Sequence, residues 1–589
     1  MMQRIWLKRL PFSRSFPKQN FLHTTSFFRQ TGTLKLKPLI NSRGSFYSRN
    51  KKTINLLGTT TTFLILYNTN QTVHDSSQYV IFTTKRITIV GQGTLRCFYH
   101  YKKFLKKTFT DKDLRNIELE RCHKKCALIT LHALQLNGGI FIKFGQHIGA
   151  MTYLLPKQWT ETMIPLQDQC PESSLSSIED MFVEDMDISM NDLFEDVNPK
   201  PIGVASLAQV YVGTMKGTGQ KVAIKCQHPE LKDYIPVDVW LTKTVFWCMD
   251  KVFPEYPLTW LGDELQSSIY DELDFCKEAQ NAINTAEYFK KFKKLTALRI
   301  PNVIKADKRI LIMEYLEGSR LDDLKYIDQH HISRSEISSC LSHIFNNMIF
   351  TPNIGLHCDP HGGNLAIKAL PRKSDTGHNF EIILFDHGLY RYPDTTIRRN
   401  YAKFWLALLD KDKEGMQKYA KRFANISDRE FPLFAAALTG RSIDFVMNYD
   451  ISKRRSNEEI SEMTSGLLEG TFLADIMGIL SRIPRIVILI LKTNDLTRYL
   501  DECLQNPLGP ERTFLIMSQY CAKTVFDEEI EELDEEFVNN KKSRWSISWA
   551  WKYFKHWISY EKRIKQLVLY DTVIWYKNHV NGLLQLLTI

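Results

Sequence analysis

The chain has 589 residues, 43% hydrophobic and 24% charged, with 27 Gly and 21 Pro, a globular balance that excludes collagenous, low-complexity and disulfide-scaffold classes. Its formal charge of +11 is local: residues 1–52 hold 12 Lys/Arg and no Asp/Glu, so the other 65 basic and 66 acidic residues net to −1. The folded part is near neutral, which argues against nucleic acid as a partner.

In chain order, 1–52 is cationic, acid-free and dotted with aromatics (Trp6, Phe12, Phe16, Phe21), the pattern of a mitochondrial presequence drawn inward by a matrix-negative potential. Residues 53–74 contain no Asp, Glu, Lys or Arg and read as a short, weak membrane anchor, with an interfacial or soluble segment as the rival. A span here keeps the basic flank in the matrix and leaves the domain in the intermembrane space of the inner membrane. Cysteines are scattered singly apart from Cys122 and Cys126; without a second pair to complete a zinc site, these read as ordinary helix cysteines.

From about residue 203 the pattern shifts to short strands. Gln209–Gly213 and Lys221–Cys226 alternate around a turn at Gly217 and Gly219, as two antiparallel strands do. Val222-Ala-Ile-Lys225 is the lysine context of protein kinases, whose ammonium reaches the α/β-phosphates of ATP. A strand at Arg309–Leu316 stands where a hinge belongs, with Met313 gatekeeper-like and the backbone of Glu314, Tyr315 and Leu316 offered to adenine. His357-Cys-Asp359-Pro-His-Gly-Gly-Asn364 repeats the H-x-D-x-x-x-x-N spacing, which sets a carboxylate beside the attacking group and a carboxamide oxygen on a metal. Asp386-His387-Gly388 follows 22 residues beyond Asn364 at the end of the apolar strand Ile382–Phe385, the position of the D-F-G metal aspartate. The glycine-rich loop is missing: Pro201–Gln209 has the single Gly203, followed by Ala205 and Ser206. Methyl groups there restrict the approach of backbone N–H groups to phosphates, so an altered nucleotide geometry is expected.

Two further motifs make the chain resemble the UbiB family of aarF-domain atypical kinase-like proteins. Lys143-Phe-Gly-Gln146, in the helical run Asn137–Gln146, matches its K-x-G-Q signature; Glu272-Leu-Asp274 with Glu278 matches the E-x-D stretch of its C helix, and Asp359–Asn364 matches D-P-H-x-G-N. Gly203, Ala205 and Ser206 stand where the family has an alanine-rich loop. The Asp386-His387-Gly388 variant, with Ile483-Pro-Arg-Ile486 and Lys492-Thr-Asn-Asp495 downstream, resembles the mitochondrial animal and fungal branch linked to lipid and coenzyme Q homeostasis. A choline-kinase-type reading shares H-x-D-x-x-x-x-N and leaves Lys143–Gln146 unexplained.

The resemblance implies an α+β, bilobal protein-kinase-like fold with a helical extension at 110–195, a β-rich small lobe at 196–318 and a helical large lobe at 319–526. It implies ATP and Mg2+ as cofactors, Asn364 and Asp386 as metal ligands, Lys225 paired with Glu278, and Asp359 as the base that orients a hydroxyl or water. Lys143 and Gln146 share a helix face that in the family lies over the active site, with Lys143 on Glu272, so that protein kinase activity is suppressed and ATP turnover favoured; Asp274 belongs to the same nucleotide-side set. His387 disturbs the apolar packing that couples its loop to the C helix, and His357 and His361 are hydrogen-bonders within the loop. The expected function is a UbiB-type ATPase or phosphotransferase; the alternative is a non-catalytic, nucleotide-gated lipid or quinone module. Membrane lipids such as cardiolipin, a quinone or its precursor are the expected partners besides nucleotide.

Ile486–Leu491 is too short to span a bilayer and reads as a buried helix. The eight acids of 527–536 read as a solvated linker or helix face. In 527–589 they precede an aromatic and basic stretch, Trp545, Trp549, Trp551, Phe554 and Trp557 among lysines, which suits either a membrane interface or a helix packed on the large lobe.

Overall fold

Side chains of Lys221–Gln227 alternate: Val222, Ile224 and Cys226 are fully buried on one face, while Lys225 points to the other, the two-residue period of a pleated strand. That alternation sets the small lobe. The computed structural model describes residues 71–150, 155–167, 172–255, 259–371, 376–439, 441, 478–506, 509–539 and 546–587; the presequence and residues 53–70 of the anchor lie outside them. The chain divides into two units, 1–86 and 87–589, and the architecture below belongs to the second. No helix among the described residues is long and apolar enough to cross a membrane.

Helix α1 (Gln71–Leu105) begins in the first unit. The extension continues with α2 (Lys112–Asn137), α3 (Ile140–Ala150) and α4 (Lys157–Met163). The expected unbroken helical run is interrupted: Gly138 and Gly139 both take positive φ (64° and 55°), a backbone region glycine enters without a Cβ penalty. The helix carrying Lys143 therefore starts afresh at Ile140.

After α5 (Leu175–Met186) come β1 (Phe194–Val197), β2 (Gly203–Val204), β3 (Ala208–Met215) and β4 (Lys221–Gln227), then α6 (Leu231–Val252), α7 (Thr259–Glu272), α8 (Phe275–Phe289), β5 (Leu298–Arg299), β6 (Val303–Ala306) and β7 (Ile310–Glu314). The sheet order is β1-β3-β4-β7-β6, with β2 added to β3. Its inner face buries Tyr211, Val222, Ile224 and Ile312 against Phe182 of α5 and Phe194, each large side chain worth about 1.5–3 kcal/mol. The other face meets α8 through Phe275, Ala279, Leu311 and Met313, so Lys225 points toward α8.

The large lobe holds β8 (Ser319–Arg320), α9 (Arg334–Phe350), β9 (Leu356–His357), β10 (Leu365–Ala369), β11 (Phe380–Leu384) and β12 (Tyr390–Arg391). It is completed by α10 (Thr395–Leu409), α11 (Lys413–Ala424), α12 (Phe431–Thr439), α13 (Arg485–Cys503), α14 (Pro510–Asn539) and α15 (Ile547–Leu587). Hairpin β10–β11 pairs in register from Leu365↔Leu384 to Ala369↔Phe380, which holds Asn364 and Phe385 at its open end. Val487–Leu491 of α13 are buried in the main core with Tyr401, Phe404 and Phe423, as the sequence indicates.

The eight acids are no linker. They lie within α14, where Glu528 pairs with Lys403 at 2.7 Å and Asp534 accepts from Trp549 Nε1 at 2.9 Å. The aromatic stretch packs on the large lobe in part. Tyr560 of α15 stacks on Phe526 of α14, while Trp551 stays 70% exposed and Phe554 and Trp557 also face outward.

Candidate active site

Lys225 Nζ lies 2.6 Å from Glu278 Oε1 on α8 and 2.8 Å from Asp386 Oδ2 after β11. These three residues, from 53 and 161 positions apart, meet because Lys225 leaves β4 on the face that α8 covers. Burial pushes Glu278 up to about 7, opposed by Lys225. Burial also works against ionised Asp386, yet Lys225 and the Gly388 N–H hold it below the usual carboxylate range. On Lys225, burial is outweighed by the same two carboxylates, which hold its pKa above normal.

The Asp359–Asn364 loop is pinned from beneath by His357, which pairs with the Asp386 carbonyl through Nε2 at 2.9 Å and accepts from Asp359 N–H through Nδ1 at 3.1 Å. His361 accepts from Gly363 N–H at 3.1 Å. Both act as the hydrogen-bonders the sequence suggests. Asn364 donates its side-chain N–H to the Asp359 carbonyl at 3.1 Å, so its carboxamide oxygen is the end that a cation would meet. With the Asp386 carboxylate this makes two hard oxygen donors. Mg2+ takes one or two such protein ligands and completes its shell with phosphate and water, and no larger cluster of His, Cys, Asp and Glu suited to a metal occurs among the described residues. The residues fit Mg2+ bound with a nucleotide, where the ion would neutralise charge on the phosphates.

Over this cleft lies α3. Lys143 Nζ is 2.7 Å from Glu272 Oε2, as the resemblance implies. Burial disfavours both charges; it raises Glu272, while the carboxylates of Glu272 and Asp359 hold Lys143 above its ordinary value. Gln146 does not face the nucleotide side alone: its Nε2 donates to the Leu166 carbonyl at 3.0 Å, and its Oε1 accepts from Ser206 Oγ at 3.4 Å. Ala205 N–H donates to the Ala208 carbonyl at 2.8 Å, and the Ala205 carbonyl pairs with His228 Nε2 at 2.9 Å. The loop Gly203–Ser206 is thus closed by a tight turn and tied to the extension.

Two sequence assignments change. Glu272 and Asp274 are not inside the C helix: Glu272 ends α7, and Asp274 is the N-cap of α8, accepting from Cys276 N–H and Lys277 N–H. A carboxylate oxygen that accepts from two helix N–H groups is a cap, so Asp274 Oδ1 is engaged at the start of α8. The Glu314 carboxylate turns to Arg299 (2.6 and 2.8 Å) and Asn302, β7 ends at Glu314, and Leu316 lies past the strand.

His387 is 1% exposed. Its Nδ1 pairs with Tyr390 Oη at 2.9 Å, its carbonyl accepts from Asn281 of α8 at 3.0 Å, and Thr285 Oγ1 of α8 reaches Tyr390 Oη at 3.3 Å. Burial pushes its pKa down to about 3, so the neutral ring couples the loop to the C helix through hydrogen bonds in place of the apolar packing it was expected to disturb.

One residue escaped the motif reading. Lys492 of α13 places Nζ 2.8 Å from Asp359 Oδ1; burial opposes the Asp359 charge, and Lys492 leads the neighbours that hold the carboxyl well below its ordinary range. The sequence signal was present in Lys492-Thr-Asn-Asp495, without anything to say what it touches.

On the opposite face of α3, Phe141, Phe144 and Ile148 line an apolar cavity of about 310 Å³ with Phe98, Phe246 and Phe253. Polar groups at its wall pair with one another: Tyr101 Oη with His123 Nδ1 at 2.7 Å and with Trp159 Nε1 at 3.0 Å.

Residues 165–420 match the model of the ABC1 atypical kinase-like domain. The chain is 64% identical to the ABC1 family protein MCP2 of Saccharomyces cerevisiae over 90% of its length and 94% of that protein's. It belongs to the ABC1 family. An MCP2 homologue of Schizosaccharomyces pombe is 39% identical over 86% of this chain and 89% of that one. The AarF domain-containing protein kinase 1 of Gallus gallus is 36% identical over 66% and 73%. These relatives set the chain in the fungal and animal branch of the UbiB proteins, with their kinase-like fold. Lys143, Gln146 and Lys492 all lie outside residues 165–420, yet Lys143 and Lys492 pair with Glu272 and Asp359 and Gln146 with Ser206.

Proposed function

We propose that this ABC1 protein binds Mg-ATP in the cleft and turns it over, as an atypical ATPase or phosphotransferase acting in lipid and coenzyme Q homeostasis at the mitochondrial inner membrane. The observation that carries the reading is Lys225 bonded to both Glu278 and Asp386 above the Asp359–Asn364 loop, which is the arrangement phosphoryl transfer needs. In this reading Asn364 and Asp386 hold Mg2+, Lys225 takes the α/β-phosphates, and the backbone of Glu314 and Leu316 takes adenine. Lys143 on Glu272 and Gln146 on Ser206 roof the cleft where a peptide would lie, so ordinary protein kinase activity is low.

The lipid arm draws support from the outward Trp551, Phe554 and Trp557 of α15, since indole rings among lysines suit a headgroup layer, and from the apolar cavity behind α3. The acid-free 1–52 segment supports mitochondrial import, with the domain in the intermembrane space.

The test is Mg2+-dependent ATP hydrolysis by the full chain, with and without cardiolipin-containing liposomes, beside Asp386→Asn. Turnover that rises on membranes and vanishes in the variant is expected. Tight Mg-ATP binding without turnover sinks the enzyme reading and leaves the nucleotide-gated lipid or quinone module, which the closure of Lys492 on Asp359 favours.

A further inference from the structure

Three consecutive residues of α13 grip the cleft and the lobe beneath it. Lys492 meets Asp359 Oδ1, Thr493 Oγ1 donates to the His357 carbonyl at 3.4 Å, and Asn494 Nδ2 donates to Tyr401 Oη at 2.7 Å. The apolar run Val487–Leu491 anchors the preceding turns in the core. Lys492 itself is 7% exposed, so its ammonium is held at the catalytic loop and does not sample solvent.

His147 lies one helical turn beyond Lys143 on α3 and is 8% exposed. Its Nε2 is buried and has no hydrogen-bond partner. The charges of Lys492, Lys143, Asp359 and His361 all act on this ring, and burial keeps it neutral. A buried ring nitrogen without a partner costs stability unless something completes it.

The cleft therefore contains three lysines from three parts of the chain, each closed on a carboxylate: Lys143 on Glu272, Lys225 on Glu278 and Asp386, Lys492 on Asp359. A nucleotide brings phosphates and a metal that compete for these partners. Its terminal phosphoryl group must lie between the metal end, Asp386 and Asn364, and the attacking-group end, Asp359. Lys225 stands at the first end and Lys492 at the second.

Resting on the nucleotide reading above, we propose that Lys492 and the unpartnered Nε2 of His147 form the subsite for the terminal phosphoryl group, so that a nucleoside triphosphate is distinguished from a diphosphate by residues outside the matched segment 165–420. Lys492 swings from Asp359 toward the phosphoryl oxygens as a charge-assisted donor, and His147 donates from Nε2 in the tautomer that protonates it. The same movement releases Asp359 to orient the attacking group only when a triphosphate is bound.

The experiment measures Mg-ATP and Mg-ADP affinity of the full chain as wild type, Lys492→Gln, Lys492→Arg and His147→Phe. Lys492→Gln is expected to weaken ATP by roughly 10- to 100-fold, the loss of one hydrogen bond to a charged group, with ADP changed by less than about twofold. ADP affinity reports that the variant is folded. Lys492→Arg should restore most of the ATP affinity, and His147→Phe should show a smaller loss of the same selectivity. Equal losses for both nucleotides would make Lys492 a structural anchor and overturn the proposal, as would unchanged ATP affinity in Lys492→Gln. A wild-type chain that binds neither nucleotide would overturn the nucleotide reading itself, an outcome distinct from the other two.

Discussion

Lys143 Nζ sits 2.7 Å from Glu272 Oε2, with the two side chains 15% and 12% exposed, and this pair joins the helical extension to the last residue of α7. Removing one member leaves the other buried and uncompensated, which costs about 3–5 kcal/mol. Lys143→Met and Glu272→Leu should each lower stability by that order in urea unfolding, while the double substitution should lose much less than the sum. Additive losses would show that the two charges act independently.

Gly145, between Lys143 and Gln146, is required by space. A Cβ built there would fall 2.1 Å from Leu166 Cδ1 and 3.0 Å from Leu134 Cδ1. Gly145→Ala should therefore destabilise the chain by about 1–3 kcal/mol through overpacking, despite alanine's better helix propensity. Adding Leu166→Ala should recover part of the loss, a non-additivity that thermal unfolding of the four chains would reveal.

Restoring a phenylalanine at position 387 should harm this protein. His387→Phe removes the partner of Tyr390 Oη and inserts a larger ring at a fully packed site. The expected cost is about 1–3 kcal/mol, with Thr285→Val costing less because Thr285 lies one bond further from the ring. A stability equal to wild type for His387→Phe would mean the hydrogen-bonded coupling contributes nothing.

Acid should destabilise the fold before carboxylates of ordinary pKa titrate. Burial lowers His123 and His343 to about 4, against 6.5 for an ordinary histidine. The unfolded chain thus binds more protons below pH 6.5, so stability is fully present above that value and is lost as pH falls toward 4. Each group contributes on the order of 3 kcal/mol. Unfolding temperature should drop between pH 7.5 and 5, and His343→Gln should flatten that slope.

Much of the cleft is legible in the chain. Asp359 and Asn364 share one short loop, Lys225 sits on a strand whose alternation is visible in Lys221–Gln227, and Asp386 ends an apolar run that can only be a buried strand. In each case spacing along the backbone dictates the chemistry, because a turn or a pleat carries side chains to a fixed place. Asp274 misled for the opposite reason: at a helix start the same carboxylate serves two backbone N–H groups, and the choice depends on where the helix begins.

By itself the sequence determined the order of the motifs, the missing glycine loop, the basic leader-like segment and the buried face of α13. Only the tertiary structure decided that Lys492 reaches Asp359 across 133 residues, that Gln146 holds Ser206, and that the acidic run is a helix paired with α10 and α15. Hydrophobic periodicity states which side of a helix is buried. It does not state against what, and ion pairs between distant elements exist only once apolar faces have packed and brought their polar edges together.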